Sequence, residues 1–395
     1  MTLTLLLDLD GTLLDNNIES FIPAYSQALS KHLAAYVKPE AMLSALMTGT
    51  RRMIANLDPT KTLRDAFAAE FYPALGLDAD ELAPVLEQFY DEVFATLASK
   101  TAPRPEAVPF VEWAFAQGWR VAIATSPLFP RKAIEHRLRW AGLPPETYPF
   151  ALISSYETFH FAKPQPAYYT EFLARLGWPE GPVLMVGNDV EQDLIPAKQL
   201  GLATYWVGET FTSGFESTGR GTLRDLRPWL EQTDLSALEP VFASPAALPP
   251  LLLSTPAALR TLLADFPRQA WTRRPAADAW CVTEILCHLR DSEREVDHPR
   301  YELILGESDP FIPGVDTDGW AGERGYIEQD GESALCEFTR ARLQTLETLN
   351  GLDPAQWSRK CRHAIFGPTS LLELVAFTAE HDRLHIRQLL DVMKS

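Results

Sequence analysis

Apolar residues follow two different rhythms along this chain. In the first part, five short apolar runs stand out: "TLTLLLD", "WRVAIAT", "FALISS", "PVLMVGND" and "ATYWVG", each followed by sequence with helical spacing. Runs that are apolar at successive positions predict strands buried on both faces. Strands alternating with helices predict a parallel sheet covered on both sides, an α/β Rossmann-like arrangement. The first interval is too long for one crossover. From Asp15 to about Arg104 the patterns are helical, as in "SFIPAYSQALSKHLAAY" and "DADELAPVLEQFYDEVFATLAS", and no clear strand occurs. A helical cap at 16–104 is therefore expected, inserted into a core made of 1–15 and 105–232.

The rhythm then changes. Residues 233–250 include "FASPAALPP" and read as a linker. After Leu251 no strand pattern returns. Four helical segments, roughly 251–266, 282–305, 331–350 and 370–393, predict an all-α, up-down four-helix bundle over 251–395. Pro299 is expected to kink or end the second of them. "SLLE" at 370–373 predicts a capping box with Ser370 as N-cap.

Composition narrows the function classes. The chain has 395 residues and a formal charge of −18, without a Lys/Arg run, which speaks against a nucleic-acid or anionic-membrane partner. The four cysteines, Cys281, Cys287, Cys336 and Cys361, form no CxxC pair and suit a reducing compartment. The apolar start is too short for a signal peptide or a membrane span, so a cytoplasmic location is expected.

The ends of the expected strands carry the chemistry. The first ends in Asp8 and Asp10, the second in Thr125 and Ser126, and the fourth in Gly187, Asn188 and Asp189, with Asp193 four residues on. Lys163 precedes the fourth strand. Ligands of open parallel sheets sit beyond such carboxyl ends. Four motifs in order, "DLDGTL", "VAIATS", "KPQP" and "VGNDVEQD", resemble the haloacid dehalogenase-like (HAD) hydrolases over residues 1 to about 232. The resemblance implies a phosphoryl-transfer site. Asp8 would be the nucleophile. Asp10 would protonate the leaving alcohol and then activate water. Thr125 would donate to the phosphoryl oxygens, and Lys163 would place a cation beside the nucleophile and the transferring group. It also implies Mg²⁺ held by Asp8, the Asp10 main-chain carbonyl and Asp189, with Asp193 as ligand or supporting partner. Asp10 marks the phosphatase rather than the dehalogenase branch, so a small phosphomonoester is the expected substrate. Ser126-Pro127, where many members have Asn, and Asn188 are local departures. Arg51 and Arg52 in the cap are either contacts for an anionic substrate or a solvated helix face.

A second constellation lies in the bundle. His381 and His385 stand four apart and share a helix face, and His288 lies in an earlier helix. Three imidazoles from two helices can form one side of a metal site. "WCVTEILCHLRDSE" and "AEHDRLHIRQL" resemble the DinB-like metal-binding bundles over about 251–393. That resemblance implies Zn²⁺, Ni²⁺ or a similar ion on His288, His381 and His385. The competing reading is three hydrogen-bonded core histidines. Cys287 points to another face, and His160, His298 and His363 read as loop or surface residues. The leading expectation is thus a Mg²⁺-dependent phosphatase fused to a metal-binding bundle. The alternatives make the bundle a metal- and thiol-dependent transferase, or a structural metal-binding or dimerisation module; a homodimer is compatible with such bundles.

Overall fold

The computed structural model describes residues 2–211 and 214–394. It divides into two compact units, Met1–Phe172 with Pro179–Pro240, and Leu173–Trp178 with Val241–Ser395.

The first unit is built on a parallel sheet. Strand β1 (Thr4–Leu7) ends at Asp8 and gives way to a hairpin of β2 (Leu14–Asp15) with β3 (Ala102–Pro103). Between β2 and β3 lie the cap helices α1 (Ile18–His32), α2 (Pro39–Ile54), α3 (Leu63–Leu75) and α4 (Ala79–Gln88). The hairpin brings both ends of the insertion back to one point beside the sheet. After it come α5 (Ala107–Ala116), β4 (Arg120–Ile123), α6 (Arg131–Trp140), α7 (Pro166–Arg175), β5 (Val183–Gly187), the short α8 (Ile195–Gln199), β6 (Ala203–Val207), β7 (Gly219–Gly221) and α9 (Leu223–Gln232). The strand order is β4-β1-β5-β6-β7, all parallel, with Leu7 level with Ile123 on one side and Val186 on the other. The register aligns the carboxyl ends of the three adjacent strands β4, β1 and β5, and so gathers the candidate residues.

Leu5, Leu7, Val121, Ile123, Val186 and Tyr205 form the core under the sheet with residues from α5 and α9. The cap has its own aromatic core around Phe21, Tyr25, Phe71, Phe89 and Phe94. It is tied to the sheet domain by Asn56, whose Nδ2 donates to the His160 carbonyl at 2.8 Å, and by main-chain bonds from Leu63 to Phe159 (2.7 Å) and from Arg64 to Tyr156 (2.8 Å).

Two strand expectations need correction. "FALISS" is only an edge segment: Ile153 forms an isolated bridge to Ile123, with flanking main-chain bonds from Ala151 to Val121 and from Ile123 to Leu152. It has one neighbour, β4, so no second ladder extends it. The fifth strand is instead β7, Gly-Arg-Gly, in a stretch with no strand signal. Its glycines are set by packing rather than propensity. A Cβ on Gly219 would lie 2.5 Å from Trp229, and one on Gly221 would lie 2.6 Å from the Tyr205 hydroxyl. Part of 233–250 is also ordered, since Leu235–Leu238 forms a 3₁₀ turn that buries Leu238 in the sheet core.

The second unit contains α10 (Leu248–Leu263), α11 (Val282–Ser292), α12 (His298–Gly306), α13 (Gly331–Leu349) and α14 (Leu371–Lys394). Between α11 and α12 the chain makes a π-helical turn, Glu293–Asp297, and Pro299 sits in the first turn of α12, where its missing N–H costs nothing. The interruption therefore precedes the proline. The Ser370–Glu373 capping box is formed, with Ser370 N–H to Glu373 Oε2 at 2.7 Å and the return bond at 3.3 Å. Strand structure does recur here. β8 (Phe311–Ile312), β9 (Lys360–His363) and β10 (Gly367–Ser370) form a small sheet, too short for alternation to show in sequence. Among the described residues no helix is long and apolar enough to cross a membrane.

Candidate active site and candidate metal centre

Asp8 leaves β1 with its main-chain N–H bonded to Val186 O at 2.9 Å, which fixes where its side chain emerges. The side chain is 6% exposed. Lys163, 2% exposed, donates from Nζ to Asp8 Oδ1 at 2.8 Å and to Asp193 Oδ1 at 2.6 Å. The Thr12 hydroxyl lies 3.1 Å from Asp8 Oδ2 and 3.0 Å from Asn188 Oδ1. Burial, reinforced by the charge of Asp193, pushes the Asp8 carboxyl above the usual range against the pull of Lys163. Burial also raises Asp193, again opposed by Lys163. Burial works to lower Lys163, but the charges of Asp193 and Asp8 outweigh it and hold the ammonium above its ordinary value. These three buried groups carry a net negative charge when ionised.

Asp193 has both oxygens engaged, since Oδ2 accepts from the Asp189 N–H at 3.1 Å. Asp189 Oδ1 caps the turn after β5, accepting from Glu191 N–H (2.9 Å) and Gln192 N–H (3.0 Å), while its side chain faces solvent. Two glycines permit this crowding. A Cβ on Gly187 would fall 2.2 Å from Asp193 Oδ2, and one on Gly11, at φ +82°, would fall 2.6 Å from Asn188 Nδ2.

Thr125 is buried at the end of β4. Its carbonyl accepts from Tyr168 Oη (2.8 Å) and Ser154 Oγ (2.7 Å), yet its own Oγ1 has no partner. A buried hydroxyl without a partner costs stability unless a ligand supplies one. Asp10 is turned to a separate set of partners: Asn16 Nδ2 donates to Oδ1 at 2.7 Å, and the guanidinium of fully buried Arg137 pairs with Oδ2. Arg137 and Asn16 were missed in the sequence. A signal for Arg137 exists, because it stands in the apolar stripe of α6 with Ala133, Ile134 and Leu138.

In the bundle, His288 of α11 meets His381 and His385 of α14. His381 Nε2 lies 2.9 Å from His288 Nε2 and 3.0 Å from His385 Nε2. Three nitrogens bound to one zinc ion at tetrahedral angles stand about 3.3 Å apart, close to these spacings. His385 Nδ1 is bonded to Gln388 Oε1 at 2.8 Å, which makes Nδ1 the donor and leaves Nε2 a lone pair facing the cluster. Burial, then the neighbouring imidazoles, lowers His288 to about 3 and His385 to about 4; burial lowers His381 as well. All three are therefore neutral at ordinary pH, as ligands must be. The Trp280 ring flanks them, 4.8 Å from His288 and parallel to His385 at 5.9 Å. Among the described residues this is a cluster of three, with no fourth His, Cys, Asp or Glu in the group.

Behind the trio lies a buried ion network that the sequence reading missed. Arg342 of α13 donates to Glu293 Oε2 at 2.7 Å in the π-helical turn and pairs with Asp382 of α14, which also accepts from Thr255 of α10 at 2.7 Å. It fixes all the long helices around the residue beside His381. Of the histidines read as loop or surface residues, His160 does lie in a loop, though buried, while His298 and His363 fall in regular elements. His160 is buried with Nδ1 2.7 Å from Glu171. His298 opens α12, 3.2 Å from Thr345 Oγ1. His363 is buried in β9, and its Nδ1 accepts from the Ile365 N–H at 3.2 Å. Each ring has at least one partner, 2 to 47 positions away in sequence, which residue spacing does not reveal. Cys287 stays outside the trio, its Sγ 3.6 Å from Gln329 Oε1.

The sheet, its inserted cap and the residues at its strand ends define a hydrolase of the α/β class. The chain belongs to the haloacid dehalogenase-like hydrolase family, whose model matches residues 2–201, and residues 251–389 match the model of the DinB superfamily. A curated phosphoglycolate phosphatase of Mesorhizobium japonicum is 28% identical over 205 residues, which are 52% of this chain and 82% of that protein. Solved structures include a HAD phosphatase of Thermococcus onnurineus (22% identity, 61% of this chain and 100% of that one, TM-score 0.39). YfiT of Bacillus subtilis, described as a four-helix bundle of unusual topology, matches at 18% identity over 48% of this chain and 94% of its own, with a TM-score of 0.36.

Proposed function

We propose that the first unit is a Mg²⁺-dependent phosphatase that hydrolyses a phosphomonoester through an aspartyl-phosphate on Asp8. The observation that carries this reading is the partnerless, buried Thr125 hydroxyl on the strand next to Asp8, whose carboxylate is held by the buried Lys163 ammonium. A phosphoryl group between them would give Thr125 an acceptor and Lys163 a third anion beside Asp8 and Asp193. An Asp8 oxygen attacks phosphorus as the bond to the alcohol oxygen breaks. Asp10 gives its proton to that oxygen, then takes a proton from the water that attacks the acyl phosphate, releasing phosphate and free Asp8. Asn16 and Arg137 orient Asp10 for both transfers. Of the two roles left open for Asp193, its engaged oxygens favour holding Lys163 over binding a metal.

The donor set fits Mg²⁺. Asp8, the Asp10 carbonyl and Asp189 Oδ2, which lies outside the capping bonds, are hard oxygen ligands beside a net negative buried cluster. Bound there, the ion would supply positive charge to the phosphoryl oxygens. The relative's name makes phosphoglycolate one member of a substrate panel. With Mg²⁺ and that panel, Asp8→Asn should lower kcat by at least about 1,000-fold. Retained turnover would overturn the assignment.

For the second unit we propose a divalent ion, Zn²⁺ or Ni²⁺, on His288, His381 and His385. A three-nitrogen set with no fourth His, Cys, Asp or Glu among the described residues favours an open position, suited to metal-assisted chemistry such as thiol-dependent transfer, over a closed structural site.

A further inference from the structure

A cavity of about 920 Å³ lies in the first unit between the cap helices and two loops of the sheet domain. Its walls are mainly aliphatic and aromatic. Helix α2 shows how it is made. Met42, Ala45 and Gly49 are buried on one face, while Leu43, Leu46, Met47 and Thr50 line the cavity on another. The cavity wall is continuous with the cap core, since Tyr25 and Phe71 belong to both. At its rim Met47 is 59% exposed and Leu43 38% exposed, large apolar groups that water disfavours.

Asp8, Asp10, Thr125 and Lys163 do not line this space, but it adjoins them by two routes. Leu128, Phe129 and Pro130 of the wall follow Thr125 on one loop. The Phe129 ring, in edge contact with Tyr25 at 5.2 Å, carries the Arg137 guanidinium 4.7 Å above it, and Arg137 holds Asp10. The group that would protonate the leaving oxygen is therefore one side chain away from the wall.

We infer that this cavity receives the alcohol portion of the substrate, and that the enzyme acts on phosphate monoesters with an extended apolar body, aliphatic or aromatic. The inference rests on the phosphatase reading above. A volume this size suits a drug-sized organic group, and a glycolate-sized one would leave most of the apolar wall uncovered.

The test is kcat/KM of the full chain with Mg²⁺ for phosphoglycolate, butyl phosphate, octyl phosphate and 2-naphthyl phosphate. Octyl phosphate should exceed butyl phosphate by at least about tenfold, because each buried methylene adds to discrimination. Met47→Trp and Ala68→Trp, which fill the cavity from an exposed and a half-buried position, should each cut that ratio at least about fivefold. A ratio near one in the wild type, or a ratio that neither variant changes, overturns the inference. Asp8→Asn assayed alongside separates the two readings. Lost turnover with a flat series rejects only the apolar substrate class, whereas retained turnover rejects the phosphatase reading itself.

Discussion

The two candidate centres solve the problem of gathering polar groups in opposite ways. Around the ends of β1, β4 and β5 the groups are charged, of both signs: carboxylates after β1 and β5 meet Lys163 from the loop before α7 and Arg137 from α6. Their buried ammonium and carboxylates hold one another before any ligand arrives. In the bundle the groups are neutral imidazoles on two helices, close together with no opposite charge among them. Their order comes from the second layer, the Gln388 bond and the Arg342 network. A charged site can be pre-arranged by its own ion pairs, whereas a neutral one must be arranged by the scaffold.

This contrast can be broken experimentally. In the bundle the largest effect should follow His381→Ala, which removes the nitrogen nearest to both others. Elemental analysis should find the bundle metal reduced from about one ion per chain to under about a tenth. Ester turnover should be retained; a parallel loss would mean that the two centres are coupled. Thr125→Val keeps the shape of a buried residue while removing its hydroxyl, and should lower kcat about 10- to 100-fold with little change in melting temperature. An unchanged kcat would remove Thr125 from the phosphoryl site. The smallest effect should be pH dependence in the metal-free protein. Since His288 and His385 titrate in the folded state near 3 and 4, below the unfolded value of about 6.5, their neutral burial contributes stability in full above that value. That stability drains away as pH falls from about 6.5 through 4 to about 3. Calorimetry of wild type against His288→Gln should show a flatter pH slope in the variant, and equal slopes would refute the assignment.

Much of the first site was legible because its residues are local. Asp8 and Asp10 sit in one motif, and Gly187 to Asp193 in another, each at the end of an apolar run. The strand of Gly219–Gly221 was not legible, because close packing against Trp229 and Tyr205 created it. In the bundle, four-residue spacing exposed His381 and His385, but nothing near His160, His298 or His363 announced the carboxylate, hydroxyl or main-chain partners that account for them. Arg137 and Arg342 left a trace, each a charge placed in an otherwise apolar helical stripe.

Sequence alone indicated four of the five parallel strands, a helical insertion after the first, a mainly helical second unit and the residue types of both centres. Those follow from short-range periodicity and from motifs within a few residues. Only the tertiary structure decided which charge neutralises which, that Asp10 belongs with Arg137 127 positions away, and that the cap encloses an apolar space. Pairing and enclosure depend on strand register and helix packing, which join residues that the chain keeps far apart.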